Sequence, residues 1–256
     1  MEVMKHPHHV MHKKKWPEFV LEFFMLFLAV FLGFVAENIR EHVTEGHKGK
    51  EYVESYYDDL KNDTARISWN IEFDARKLKG LEGLSDCYNA VLKNPKNTSC
   101  LMGIIQSIAI NRPFTRTERT SRQLANAGGF RMLKQADADS IIAYDDAFDY
   151  VQDVQTTVYQ DIQNTVRNTL NTIGNFKANV QMFKPEAGKM ITADTLKRAD
   201  ITAPIIFSSD KALLNKFFNE CLLYYRVTYN HQQMLIDLKA RQIRLLDYFR
   251  RKYGFE

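Results

Sequence analysis

Carboxylates, imidazoles, thiols and guanidinium groups stand at a few positions of this chain where solubility alone does not explain them. Glu18 and Glu22 lie one helical turn apart at the start of an apolar run, Phe19 to Ala36, within "PEFVLEFFMLFLAVFLGFVAEN". Hydrocarbon does not solvate a carboxylate, so such a group is held by water at the rim, a partner helix, another subunit or an ion path. Asp74 and His231 are polar intrusions in two seams that are otherwise apolar. With Gln152 or Gln155 nearby they would form a buried polar layer that fixes helix register; the alternative is that both face solvent at a seam edge. If register is the layer's only purpose, replacing Asp74 by Leu should raise stability. Cys87 and Cys100 bracket "YNAVLKNPKNTS" and in an oxidising compartment can close that bend as a disulfide; otherwise they are two free thiols. Cys221, at a seam position, reads as a buried thiol.

Arg112, Arg116, Arg119 and Arg122, followed by Arg131, are interleaved with Thr115, Thr117 and Thr120. A cluster of this kind holds an anion or an acidic partner, or is a solvated basic loop. His6, His8, His9 and His12 share a short tail, but Pro7 interrupts it and no cysteine or carboxylate completes a shell, so no metal site is expected. Asn164, Asn168, Asn171 and Asn175 form an uncharged amide stripe suited to a docking surface, though exposed amides at helical spacing need no partner. The chain carries no G-x-S-x-G, no H-E-x-x-H and no phosphate loop. The expectation is therefore a protein that is not an enzyme and uses no cofactor.

These groups must be positioned by something. Lys and Arg exceed Asp and Glu by 35 to 31 over 256 residues, too slight an excess for a nucleic-acid partner. A composition 45% hydrophobic with only 11 Gly and 6 Pro is that of a folded chain. The apolar run is long enough, with its flanks, to cross a bilayer as a helix of roughly 20 residues. Phe34 spoils the small-x-small site ending at Ala36, so the run reads as an uncleaved anchor. Lys13, Lys14 and Lys15 precede it and a mixed set follows it, which places the N-terminus in the cytoplasm. The expected organisation is a cytoplasmic tail at 1–16, a transmembrane helix at 17–40 and an extracytoplasmic domain at 41–256, in a bacterial inner membrane with the bulk periplasmic. Ala29 and Gly33, a small-xxx-small pair, would let two spans pack closely.

The external part reads as helix almost throughout, so the fold class is all-α: one N-terminal transmembrane helix, then an elongated antiparallel bundle of three long helices with short connecting helices. The first long helix, about 51–93, carries a seam at Val53, Tyr57, Leu60, Thr64, Ile67, Ile71, Asp74, Leu78, Leu81, Ser85, Tyr88 and Leu92. The second, about 137–176, has Tyr144, Phe148, Val151, Val158, Ile162 and Ile173 on one face. The third, about 209–253, has Leu214, Phe217, Cys221, Tyr224, Thr228, His231, Leu235, Leu238, Gln242, Leu245 and Phe249. If helix one rises, helix two returns and helix three rises again. The 177–207 segment then lies at the membrane-near end, with the short helices and the C-terminus at the other. Met182, Phe183, Ile205, Ile206 and Phe207 would cap the core or rest on lipid.

Glu22, Ala29, Gly33 and Asn38 in the span, with Leu124, Gly128, Gly129, Leu133 and Tyr144 around a later turn, carry a resemblance. The chain resembles an uncharacterised family of single-pass membrane proteins common in Bacteroidota, a domain of unknown function. The departure is the Phe content of the span, where that family has Ile, Leu and Val. The resemblance implies a single span and a periplasmic helical domain, and it implies no chemistry. The functional expectation is a membrane-anchored periplasmic scaffold or accessory subunit of an envelope complex, in contact with lipid and with copies of itself or other envelope membrane proteins. A periplasmic sensor or ligand-binding module, or an oligomeric channel formed by the spans, is the alternative.

Overall fold

The computed structural model describes residues 16–94, 98–126, 128–182 and 203–256, and the histidines at 6, 8, 9 and 12 lie outside them. The regular structure among these residues is helical apart from one isolated bridge between Gly174 and Ile206. The chain divides into two compact units, 1–51 and 52–256. Helix α1, Trp16–Gly80, contributes to both.

In the first unit, Pro17 sits in the first turn of α1, where its missing N–H is not needed, and no further proline interrupts the helix. Its apolar stretch is exposed apart from the half-buried Val35, with Leu26 at 68% and Phe34 at 70%. It is long and apolar enough to cross a membrane. Glu18 and Glu22 are on this helix, and Arg40 pairs with Glu37 just past the apolar run. Ala29 and Gly33 are exposed one turn apart, and a Cβ at Gly33 would meet nothing within 4 Å.

The second unit begins with the rest of α1, whose seam residues Val53, Tyr57, Leu60, Ile67, Asp74 and Leu78 are buried, as is Leu81 just past its end. The expectation of one helix through residue 93 is corrected: α1 ends at Gly80, and Gly83 (φ 76°) turns the chain into α2, Leu84–Lys93. The reason is steric. Gly80 crosses α3, Leu101–Ala109, so closely that a Cβ on it would stand 2.7 Å from the Gly103 carbonyl oxygen. Past the break the seam rotates, and Cys87 and Val91 are buried instead of Ser85 and Leu92. Cys87 and Cys100 are joined in a disulfide. An extended stretch leads to α4, Arg119–Asn126, and a short 3₁₀ turn, Gly129–Met132. Then come α5, Gln135–Val154, a π-helical turn, Gln155–Tyr159, and α6, Gln160–Ile173. Helices α7, Phe176–Met182, and α8, Lys211–Tyr253, complete the order. The carboxylate of Asp210 caps α8 by accepting from the N–H groups of Ala212 and Leu213, and Gly254 (φ 72°) ends it.

The contacts between helices overturn the rise–return–rise order. Along α1, Leu60, Ile71, Asp74 and Lys77 meet Gln242, Gln232, His231 and Tyr224, so α8 runs antiparallel to α1. Tyr56 meets Asp145 and Lys77 meets Tyr159, so α5 and the π turn run parallel to α1. The connection between them does not stay at one end. Ser107 bonds to Lys77, Thr117 to Asp63 and Thr120 to Asp59, which carries the chain back along α1 before α5 starts. Consequently the C-terminal Glu256, whose backbone carbonyl accepts from Tyr57 and Lys61, lies at the start of this unit and not at its far end. Ile205 lies beside Thr98, whose hydroxyl accepts from the Ile205 N–H. Ile205 and Ile206 are buried there and cap the core, while Phe207 is 82% exposed; Phe183 lies outside the described residues.

Gly80→Val should lower the melting temperature, reflecting a loss of about 1–3 kcal/mol from overpacking against Gly103 and Ser107. A melting curve followed by circular dichroism checks it; an unchanged midpoint would mean that the crossing is looser than these distances.

Candidate functional site: a buried polar layer

Two apolar clusters fill the second unit, one around Leu81, Ile104 and Phe217, the other around Tyr57, Phe148 and Leu235. Hydrogen-bonded polar side chains from four segments lie at their junction. The sequence feature behind them is a run of buried positions four apart: Val151, Gln155, Tyr159 and Gln163. Each step of four advances 40° beyond a full α-helical turn, so three steps would rotate the last side chain by about 120° away from the first. The wider π turn at Gln155–Tyr159 absorbs that drift. It also displaces the expected face: Val158 is 47% exposed, and Tyr159 takes the core position.

Gln155 orders the layer. Its Oε1 accepts from the Phe114 N–H at 2.8 Å and its Nε2 donates to the Phe114 carbonyl at 3.1 Å, which fixes the orientation of the amide. The same Oε1 lies 2.9 Å from His231 Nε2, so that nitrogen must carry a hydrogen and donate. The other ring nitrogen, Nδ1, lies 2.6 Å from Asp74 Oδ2. One proton is therefore held between carboxylate and imidazole, and both ring nitrogens are engaged. Asp74 and His231 are each 3% exposed. They meet although their helices are antiparallel, because α8 passes the end of α1, where Asp74 stands, at its own mid-length. Gln163 extends the pattern by donating to the Ile108 carbonyl at 2.8 Å.

Lys77, 4% exposed, is the centre of the second half. Its Nζ donates to Tyr159 Oη at 2.7 Å and to Tyr224 Oη at 3.1 Å, and it stands 4.7 Å from the centre of the Phe73 ring. Three ammonium hydrogens thus meet two hydroxyls and one aromatic face. The two tyrosine hydroxyls are 3.1 Å apart, and Tyr224 donates onward to the Ser107 carbonyl at 3.2 Å. Burial pulls the Lys77 ammonium down to about 8, opposed by the Asp74 charge, and burial pushes both tyrosines well above their ordinary range. Chemically the layer binds protons and locks register. Its nucleophilic and basic atoms are bonded to one another and do not line an opening.

The arginines read as an anion or partner patch, or as a solvated basic loop, have partners within the chain. Arg116 pairs with Asp145 and lies near Asp149, Arg119 pairs with Asp59, Arg122 pairs with Glu118, and Arg112 stacks over Trp69. Arg116 is buried in its pairing while Arg119 and Arg122 stay mostly exposed, and Asp59 and Asp63 on α1 fasten the 113–122 segment through Thr120 and Thr117. Cys221 is a buried free thiol that burial raises well above its ordinary range. Asn164, Asn168 and Asn171 face solvent. Among the described residues no group of three or more His, Cys, Asp or Glu could hold a metal ion. Sequence reasoning missed Lys77, Tyr159 and Tyr224 as one group. The spacing at 151, 155, 159 and 163 was the available signal for Tyr159; Lys77, beside the seam on a long helix, gave none.

Lys77 gives a pH dependence with a definite sign. The unfolded chain holds this proton up to about 10.5, the folded protein only to about 8. Below pH 8 both states carry it, and folding bears the full penalty of burying the charge, about 3 kcal/mol for that displacement. Between 8 and 10.5 the unfolded state binds more protons, so this contribution to stability rises with pH. Urea midpoints should therefore increase from pH 7.5 to 9.5, and Lys77→Met should flatten that rise. An equal rise in both proteins would assign it to other groups.

The Asp74–His231 contact also reverses the expectation for Asp74→Leu. Removing the carboxylate leaves His231 Nδ1 buried without its partner, so the single variant should be destabilised by about 3–5 kcal/mol. Asp74→Leu combined with His231→Leu should lose less than the two singles added together, read by urea denaturation as a double-mutant cycle.

Comparison with family models, curated proteins and solved structures gives no match to this chain.

Proposed function

We infer that the protein is a membrane-anchored helical scaffold or accessory subunit of a bacterial envelope complex, working through protein contacts. The observation that carries this reading is the division of polar groups in the second unit. Those of the central layer, Asp74, Lys77, Gln155, Tyr159, Tyr224 and His231, are buried and bonded within the layer, while exposed helix faces carry Tyr150 at 66%, Leu222 at 53% and Tyr229 at 49%. A rigid interior and aromatic or aliphatic groups at the surface suit recognition of another protein. The apolar stretch of α1 supports the anchor. The Cys87–Cys100 disulfide supports a periplasmic position for the second unit, since such bonds persist in oxidising compartments, and the lysines before the span support the same orientation. Ala29 and Gly33 support self-association of the spans, and the resemblance to the Bacteroidota single-pass family agrees with this arrangement.

Extraction of the native complex in detergent, followed by mass spectrometry of intact assemblies, should give a species heavier than one chain, with reproducible co-purifying envelope proteins or further copies. A clean monomer would sink the scaffold reading.

A further inference from the structure

Helices α5 and α8 leave a groove of about 560 Å³ along their outer side. Small residues, Ala143 and Ala147, one turn apart on α5, line it, and Tyr150, Val151, Met234 and Leu238 give it apolar walls. Tyr150 is 66% exposed, a large aromatic ring directed at water beside a recess. Such a ring next to small residues is the usual make-up of a contact that dominates binding energy. The groove is open along its length, which suits a rod-like occupant and does not suit an enclosed small molecule.

The charge around the groove states what kind of rod. Helix α5 carries Asp137, Asp139, Asp145, Asp146, Asp149 and Asp153, with no Lys or Arg between Gln135 and Val154. Asp137 and Asp145 are engaged inside, by Lys252 with two tyrosines and by Arg116 with Tyr56. The other four are exposed. Asp149 faces Arg116 at 3.7 Å, away from the groove, while Asp139, Asp146 and Asp153, seven residues apart, share one stripe beside it. On the α8 side, Arg241 is bonded to Asp237 at 2.8 Å and so adds little positive field. The α5 rim is thus acidic beside an apolar floor.

We propose that the α5–α8 groove is the docking site for an amphipathic helix of a partner protein, one whose apolar face is flanked by Lys or Arg. This rests on the scaffold reading and names the chemistry of the partner. The partner helix completes a four-helix arrangement at this level, with its aliphatic side chains over Ala143 and Ala147 and against Tyr150. Its cations lie along Asp139, Asp146 and Asp153, which sets the direction and speed of approach.

The test uses the full chain in nanodiscs of zwitterionic phosphatidylcholine, with empty nanodiscs as the control for lipid binding. The probe is a synthetic Leu/Lys amphipathic helix of about 18 residues, roughly 27 Å long, with a Leu/Glu helix of the same length as counter-probe. Saturable binding of the Leu/Lys helix above the empty-nanodisc level is expected, and none of the Leu/Glu helix. Ala147→Trp fills the groove without changing charge and should weaken binding by about tenfold or more. Asp146→Asn with Asp153→Asn, both at exposed positions, keeps the fold measurable should Ala147→Trp not fold, and should reduce both affinity and its salt dependence. Equal binding of the two helices, or affinity unchanged in both variants, overturns the proposal. So does a dimer of this chain that Ala147→Trp abolishes, because the groove then belongs to a second copy. Native partners whose co-purification ignores these substitutions would defeat the groove alone and leave the scaffold reading standing.

Discussion

The side-chain amide of Gln155 is committed on both of its ends, and most of the interior is arranged around that fact. Bonding to both backbone groups of Phe114 holds the extended 110–118 stretch against α5. The shared oxygen then dictates which nitrogen of His231 carries a hydrogen, which in turn directs Nδ1 to Asp74. A buried amide satisfied in this way strengthens each of its neighbours and penalises any shifted register, in which several polar groups would be left without partners. The apolar clusters on either side could slide by a turn at moderate cost; the layer between them cannot.

A second constraint follows from the four-residue spacing. An α-helix can present either Val151 and Gln155 or Tyr159 and Gln163 to the same neighbour, but not all four without widening. The chain takes the wider turn and so gains three polar side chains aimed inward from one strip. Two of them, Gln155 and Gln163, bond to the backbone of the returning segment at Phe114 and Ile108. The crossover that makes α1 and α5 parallel is therefore held by amides from the helix it leads into.

Much of this was legible in the residues and some of it was not. Every seam position assigned to α8, from Leu214 to Phe249, is buried, because apolar periodicity on an uninterrupted helix is a local property. The α1 seam is legible up to Leu81 and fails afterwards, since the break depends on a close pass between Gly80 and Gly103 that no local pattern encodes. Helix directions were misjudged for a related reason. Loop length does not reveal that 110–118 runs back along α1; that depends on Asp59 and Asp63 bonding to Thr120 and Thr117. Asp74 and His231 stood out as polar residues in apolar seams. Lys77 did not, because a lysine on a long helix is ordinarily a solvated one.

The position of α8 in the chain bears on how the protein is made. It follows every other element, yet it supplies His231 and Tyr224 to the middle of the core and runs against both α1 and α5. Until it has been synthesised, Asp74, Lys77, Gln155 and Tyr159 have no complete set of partners, and the two apolar clusters lack one wall. The Cys87–Cys100 link, spanning only 13 positions, can close long before that. Biogenesis thus has a waiting state, cross-linked at one end and open along its length, that a chaperone or protease would meet before the finished fold exists.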